Sequence, residues 1–362
     1  MNIVILAGGS GTRLWPMSRQ KKAKQFNAII NHKTMLENTL ERFSEAYPAR
    51  KIFISTNKEN LDNVLTLLPD FPQENIIIEP EKRDTAAAMG YVCAVMSLRA
   101  PDEPLAFIAS DHYIMNQERF LATLAVAEDK IKKTKKLVDI GITPESPSTA
   151  LGYTHIGKKL DKSNGVEVYE FLGHTEKPKH KIAQEYVKSG DYLWHGNFYM
   201  WTPRLFLSAF KKYAPEIYGP LKAIIGLLKK NGDEQAIAKA YKKIPKVMID
   251  YALTEKMSPK DILIIRGDFG WSDIGSWDIL HKKLSVSADE QGNLVKGKWM
   301  GIDTSQSIVY SCCDKLVATI GVGDLVVIDT EDVLLICPKG RSQDVKKMVE
   351  MLKEQKKYNK YL

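Results

Sequence analysis

The sequence predicts an α/β protein: a doubly wound, mostly parallel sheet followed by a small C-terminal β-rich module and a closing helix. Three observations predict it. Short apolar runs alternate with segments of helical apolar spacing through the first two thirds of the chain. That is the pattern of a parallel sheet covered by helices on both faces. A glycine-rich turn, Gly8 to Thr12, follows the first apolar run, where open α/β sheets place their ligands. From about Gly292 the chain changes to short apolar stretches broken by turn residues, which read as short strands.

The elements follow in order. Ile3 to Leu6 is the opening buried strand. Leu36, Leu40, Phe43 and Tyr47 recur at helical spacing, Ile52 to Ser55 reads as strand, and Leu61, Val64, Leu65 and Leu68 mark a second helix. Ile76 to Ile78 is a strand that ends at Glu79-Pro80. Asp84 is the expected N-cap of a helix running through Ala88 to Arg99. Leu105 to Ala109, Leu137 to Ile142 and Val166 to Leu172 are strands, and Phe120, Leu121, Leu124 and Ile131 mark a helix. Farther on, Ile302 to Tyr310 partly repeats as Ile328 to Ile336, which fits a β-rich module with coil stacked on coil. Val345, Met348, Val349 and Leu352 form the apolar stripe of the closing helix. The boundary falls near residues 285–292, giving a first domain of 1–288 and a module of 289–362.

Composition narrows the class. The 362 residues are 44% hydrophobic, enough for a sizeable core. No apolar stretch reaches the ~18 residues of a membrane helix, and no signal-peptide pattern precedes the first strand. A cytoplasmic protein without a membrane partner is expected. The net charge of +8 resides largely in scattered lysine doublets such as Lys132-Lys133 and Lys242-Lys243. A nucleic-acid protein would gather such charge on one element; a basic balance suits polyanionic small substrates. The four cysteines make no metal spacing and no Cys-x-x-Cys pair. Cys93 lies in an apolar helical pattern and reads as a small core residue.

The chemistry begins at Leu6-Ala7-Gly8-Gly9-Ser10-Gly11-Thr12-Arg13. Glycines let backbone N–H groups converge on one point, and such nests bind phosphates. Arg13 adds a planar cationic fork and Lys24, shortly downstream, a point charge. Two better-known phosphate loops do not fit. A Walker A loop needs Gly-Lys before Ser or Thr, and Leu14 stands where the dinucleotide fingerprint needs its third glycine. Asp111 sits just past the carboxyl end of the strand Leu105 to Ala109, and a carboxylate beside a triphosphate is a natural Mg²⁺ ligand. His112 beside it reads as a structural strand-end histidine. Trp271-Ser272-Asp273-Ile274-Gly275-Ser276-Trp277 brackets a carboxylate with two rigid aromatics, as a metal or sugar site requires. Glu176-Lys177 can address a sugar phosphate, the lysine its charge and the glutamate its hydroxyls. No nucleophile, base and orienting acid form a recognisable triad.

Taken together, Leu6 to Pro16, Lys24-Gln25-Phe26 and Trp271 to Trp277 resemble the sugar-1-phosphate nucleotidyltransferase family, and within it the mannose-1-phosphate guanylyltransferase group. The resemblance implies the nucleotide-diphospho-sugar transferase fold with a β-helix-like module. It implies Mg²⁺-dependent transfer of a nucleotidyl group, with GTP and mannose 1-phosphate as substrates. It makes Arg13, Lys24, Asp111 and Asp273 catalytic, with Asp273 the partner of Asp111 on the metal. Nucleotide binding falls to Leu6 through Arg13, with Glu79, Arg83, Asp84 and Thr85 at the base end. The sugar phosphate falls to Gly152, Tyr153, Glu176, Lys177 and Asn197.

The chain departs from the family's pattern at Asp84, where asparagine is expected, at Ala109 for a proline, and at Leu151 for an aromatic. These departures leave the reaction class intact and bear on the choice of base and sugar. Another nucleoside triphosphate or hexose or heptose 1-phosphate, or a non-catalytic nucleotide-binding regulator, remain the alternatives. The resemblance runs on to Cys337-Pro338-Lys339, with no fused phosphomannose-isomerase module expected after it. The small module and closing helix would suit a homodimer contact.

Overall fold

The fold is that of a computed structural model, which describes residues 1–9 and 11–362. Ser10 and the side chain of Thr12, both expected in the phosphate loop, lie outside the described residues.

The chain builds one ten-stranded sheet from residues 2 to 267. Its order is Ile262–Gly267, Val166–Thr175, Tyr153–Ser163, Tyr192–His195, Leu137–Ile142, Met200–Trp201, Leu105–Ala109, Asn2–Leu6, Ile52–Asn57 and Ile76–Glu79. The last four are mutually parallel, as is Ile262–Gly267 to Leu137–Ile142. These are apolar runs buried on both faces. The two-residue strand Met200–Trp201 runs antiparallel between the halves and joins them. A long antiparallel hairpin, Tyr153–Ser163 with Val166–Thr175, extends the second half. The α/β class predicted from sequence is therefore the one observed, with antiparallel strands added beyond residue 142.

Asp84 corrects one expectation. The helix Asp84–Arg99 is capped at Arg83, without a side-chain bond. Asp84 itself takes a left-handed backbone, φ 68°. Its carboxylate therefore accepts from the adjacent Thr85 N–H at 2.7 Å and does not reach the N–H groups one turn in.

The C-terminal module stacks coils. Leu294–Lys296, Ile308–Ser311 and Leu325–Asp329 lie side by side in parallel, and Trp299–Ile302 lies parallel to Val317–Ile320. The stacking is as expected, but its register is not the internal repeat. Ile302 pairs with Ile320 and Ile308 with Val326, a step of 18 residues. Ile328 instead pairs with Leu335 across an antiparallel turn, so the similar stretches occupy different places. The closing helix is Val345–Glu354.

Two cores result. The larger fills both faces of the sheet. The smaller joins Leu14 and Trp15, Ile274 and Trp277, and the module residues Leu294, Ile308, Val326, Val345 and Val349. The two motif loops are thus packed on the module. All four cysteines are free thiols, and Cys93 is buried in the larger core. Among the described residues no helix is long and apolar enough to cross a membrane.

Candidate active site

The glycine-rich loop leaves the strand Asn2–Leu6 and is held from below. Gln25, fully buried, donates to the carbonyls of Ala7 at 3.2 Å and Gly9 at 3.1 Å. Ser18 Oγ donates to the carbonyl of Gly11. Three loop carbonyls are thereby taken up by side chains of the protein. Gly11 has φ 56°, and a Cβ there would stand 2.5 Å from Cβ of Lys24. Only glycine lets the loop lie on the lysine stem.

Lys24 is the hub. It is 4% exposed, and its ammonium donates to Asp111 Oδ2 and the Asp111 carbonyl, both at 3.1 Å, and to the carbonyl of Asp273. A small antiparallel pairing explains the meeting of Asp111 and Asp273. Trp271–Ser272 pairs with Tyr113–Ile114, Ser272 facing Tyr113, so Asp273 arrives beside the end of the Asp111 strand. Ile274, fully buried, takes φ 40° there. A β-branched residue in that region is strained, and strain of this kind collects where a site over-determines the backbone. Arg13 lies close by: a Cβ on Gly275 would be 2.7 Å from Asp273 Oδ2 and 3.5 Å from Arg13 Cζ.

Burial raises the Asp111 carboxyl, but the Lys24 ammonium beside it outweighs that and holds it below its usual range. His112 is buried and pushed down to about 4 by desolvation. It is a neutral imidazole whose Nδ1 accepts from Trp271 Nε1 at 3.1 Å, the structural role expected.

Two cavities flank the hub. One, of about 370 Å³, is lined by Leu6, Gly8, Gly9, Glu79, Asp84, Thr85, Asp111 and Asn197, a volume suited to a small molecule. Glu79 sits on its floor, 5% exposed, with Tyr241 OH donating to it at 2.6 Å. Burial pushes the Glu79 carboxyl up to about 7 against the opposing pull of Tyr241 and Lys82. Arg83 does not line this cavity: its guanidinium donates to the Ile244 carbonyl at 2.6 Å and pairs with Glu81. Lys82 stands at the cavity in its place.

The second cavity, of about 200 Å³, is lined by Arg13, Leu151, Trp194, Trp271 and Asp273. Gly152 follows Leu151, and any Cβ there would collide with Glu176 and His174. Glu176 is held below its usual range by His174, 3.3 Å away, and by Lys177. Lys177 takes φ 46° and Asn197 φ 57°; Asn197, expected at the sugar phosphate, lines the first cavity instead. Tyr153 is fully buried, its hydroxyl donating to the Ser148 carbonyl at 3.0 Å, so it is a core residue beside this site.

Comparison with known proteins decides the family. The nucleotidyl transferase family model matches residues 2–289, and a mannose phosphate isomerase/GMP-like β-helix domain model matches residues 297–352. A mannose-1-phosphate guanylyltransferase of Klebsiella pneumoniae is 36% identical over 356 residues, and one of Escherichia coli 35% identical over 356. Each alignment spans 97% of this chain and 74% of the relative. The chain belongs to the mannose-1-phosphate guanylyltransferase family.

It is accordingly an enzyme of the nucleotidyltransferase class. A crystal structure described as a mannose-1-phosphate geranyltransferase from Thermus thermophilus shares the fold, with a TM-score of 0.86 at 29% identity, over 97% of this chain and 99% of that one. A mannose-6-phosphate isomerase from Helicobacter pylori, at 22% identity and a TM-score of 0.58 over 75% of this chain and 98% of that one, is alike in fold alone. The chain covers about three quarters of its guanylyltransferase relatives.

Sequence reasoning missed several residues around the first cavity. Tyr199, Met248 and Ile249 line it, and Ile249 N–H donates to Thr85 Oγ1 at 2.9 Å. Nothing local marks the last two, which come from an irregular stretch before the π-helical turn Asp250–Thr254. Gln25 belonged to a motif already noted, and its side-chain amide next to a lysine was the available signal.

Proposed function

We propose that the chain transfers GMP from GTP to mannose 1-phosphate, giving GDP-mannose and pyrophosphate, with Mg²⁺ as cofactor. The observation that carries this reading is the convergence of Arg13, Lys24, Asp111 and Asp273 between a nucleotide-sized cavity and a smaller neighbour. The mannose-1-phosphate guanylyltransferase activity of the relatives supports the choice of substrates.

An oxygen of the sugar phosphate attacks the α-phosphorus in line, forming one P–O bond as the bond to pyrophosphate breaks opposite. The loop Gly9 to Arg13 would hold the β- and γ-phosphates and the leaving pyrophosphate. Lys24, tied to Asp111 in the free enzyme, turns its charge to the α-phosphate. Lys177 exchanges Glu176 for the sugar phosphate. Positioning and charge neutralisation supply the catalysis, with no protein nucleophile.

The donors suit Mg²⁺. Lys24 joins the Asp111 carboxylate to the Asp273 backbone carbonyl, with the Asp273 carboxylate beside Arg13 on the second cavity, and Mg²⁺ characteristically takes one or two carboxylates plus phosphate oxygens and water. Among the described residues no three His, Cys, Asp or Glu side chains cluster into a complete metal cage, so ligand oxygens would complete the shell. The bound cation would supply charge neutralisation on the phosphates.

When ionised, Glu79 favours guanine. Guanine presents two adjacent N–H donors on one edge, which a carboxylate accepts together; adenine offers an acceptor there. The test is pyrophosphate release in Mg²⁺ over four nucleoside triphosphates against mannose, glucose and galactose 1-phosphates. A peak at GTP with mannose 1-phosphate is expected. A peak elsewhere would reassign the substrates to the departures at Asp84 and Leu151, and no release from any pair would overturn the reading.

A further inference from the structure

Between the two cavities lies a cluster of ionisable groups that the proposed chemistry does not use, one of which, Tyr199, also lines the nucleotide cavity. His195 ends the strand Tyr192–His195 and is buried. Its Nδ1 lies 2.8 Å from Asp139 Oδ2, and its Nε2 lies 2.8 Å from Tyr199 OH and 3.2 Å from Asp250 Oδ1. Tyr199 OH in turn donates to Asp250. All four residues are 5% exposed or less. Burial lowers His195, but Asp139 and Asp250 overcome it and hold the imidazole well above its usual range. Asp250 is held below its usual range by His195 and Tyr199 despite burial. The second oxygen of Asp139 accepts from Ile140 N–H at 2.8 Å.

A buried ionic cluster is weak evidence for stability, because apolar residues of like volume do as well or better. Its geometric consequence is more informative. Asp250 directly follows Met248 and Ile249, which wall the nucleotide cavity. That segment also grips the Asp84–Thr85 corner, through Ala86 N–H to the Val247 carbonyl at 3.2 Å. On the other side, His195 N–H donates to the Gly152 carbonyl at 2.8 Å, and the His195 ring meets His174 edge-on with centroids 4.8 Å apart. His174 holds Glu176. Two residues beyond His195, Asn197 reaches the nucleotide cavity. His195 thus stands between the two walls and touches both.

We propose that Asp139, His195, Tyr199 and Asp250 are positioning residues that couple the nucleotide cavity to the sugar-phosphate side, so that each substrate raises affinity for the other. The proposal rests on the functional reading above. A wall moved by one ligand carries Asp250 or Gly152 with it, and the cluster passes the shift across because its hydrogen bonds admit few arrangements. By linkage the effect is reciprocal.

Calorimetric titration tests it, with α,β-methylene GTP and mannose 1-phosphate in Mg²⁺, each alone and in saturating amounts of the other. The wild type should show a coupling factor of ~5-fold or more. Tyr199→Phe, which keeps the ring, and Asp250→Asn, which keeps the shape, should bring it close to one. Leu221→Ala, in the helix layer of the larger core, is the control for lost stability and should keep the coupling. Independent binding in the wild type, or wild-type coupling in both variants, overturns the proposal alone. A wild type that binds neither ligand overturns the functional reading itself.

Discussion

At the scale of single residues, environment sets each role. Glu79 and Asp111 are both acidic residues at the carboxyl ends of strands, yet burial beside Tyr241 pushes one up to about 7 while Lys24 holds the other down. Glu79 carries a sign that can be tested. Its folded value, about 7, lies above its ordinary 4.5, so between those values the folded protein binds more protons than the unfolded chain. Stability therefore falls as pH rises across that window, by up to about 3 kcal/mol. Glu79→Gln should flatten the fall and gain on the wild type towards pH 8, as read by urea unfolding at successive pH values. Parallel profiles would show that Glu79 ionises normally. At the loop, Arg13→Ala should cost ~1.5–3 kcal/mol of transition-state binding, the worth of a charged hydrogen bond, with the melting temperature nearly unchanged. An early-melting variant with normal turnover would make Arg13 a structural turn residue. Arg13, Lys24, Asp111 and Asp273 were legible because their motifs are local. The cluster around His195 was not, since Asp139 and Asp250 stand 56 and 55 residues from it in the sequence.

At the scale of elements, the C-terminal module braces the site. Trp15 Nε1 donates to the Tyr361 carbonyl at 2.7 Å, and Trp277 Nε1 to the Trp15 carbonyl at 3.2 Å. Tyr310 OH donates to the Ile29 carbonyl at 3.0 Å, and Arg19 pairs with Asp332. Trp277, fully buried, sits where the motif loop meets the module. Trp277→Ala should destabilise by ~3–5 kcal/mol and lower activity further than the unfolded fraction explains. Trp15→Phe keeps most of the packing and should lower kcat more than it lowers the melting temperature. Normal kcat in Trp15→Phe would mean that the brace carries stability alone. The tryptophans flagged an unusual loop, but its partner strand was invisible. Two residues, Tyr113–Ile114, are too few for any periodicity to register.

At the scale of the molecule, alternation of strand and helix was enough to predict the α/β class and the carboxyl edge that carries the loop. It could not predict the insertion of Met200–Trp201 between strands Leu137–Ile142 and Leu105–Ala109. That placement depends on long-range pairing, which leaves no mark on local spacing. The module's coils were legible and their register was not, because similar stretches fall on different coil positions. The measurement that bears most directly on the site is pyrophosphate release from GTP and mannose 1-phosphate by wild type, Asp111→Asn and Asp273→Asn. The wild type should release pyrophosphate only with both substrates and Mg²⁺ present. Each variant should fall by ~10²-fold or more and melt within a few degrees of the wild type. Near-normal release by either variant would contradict the two-carboxylate centre.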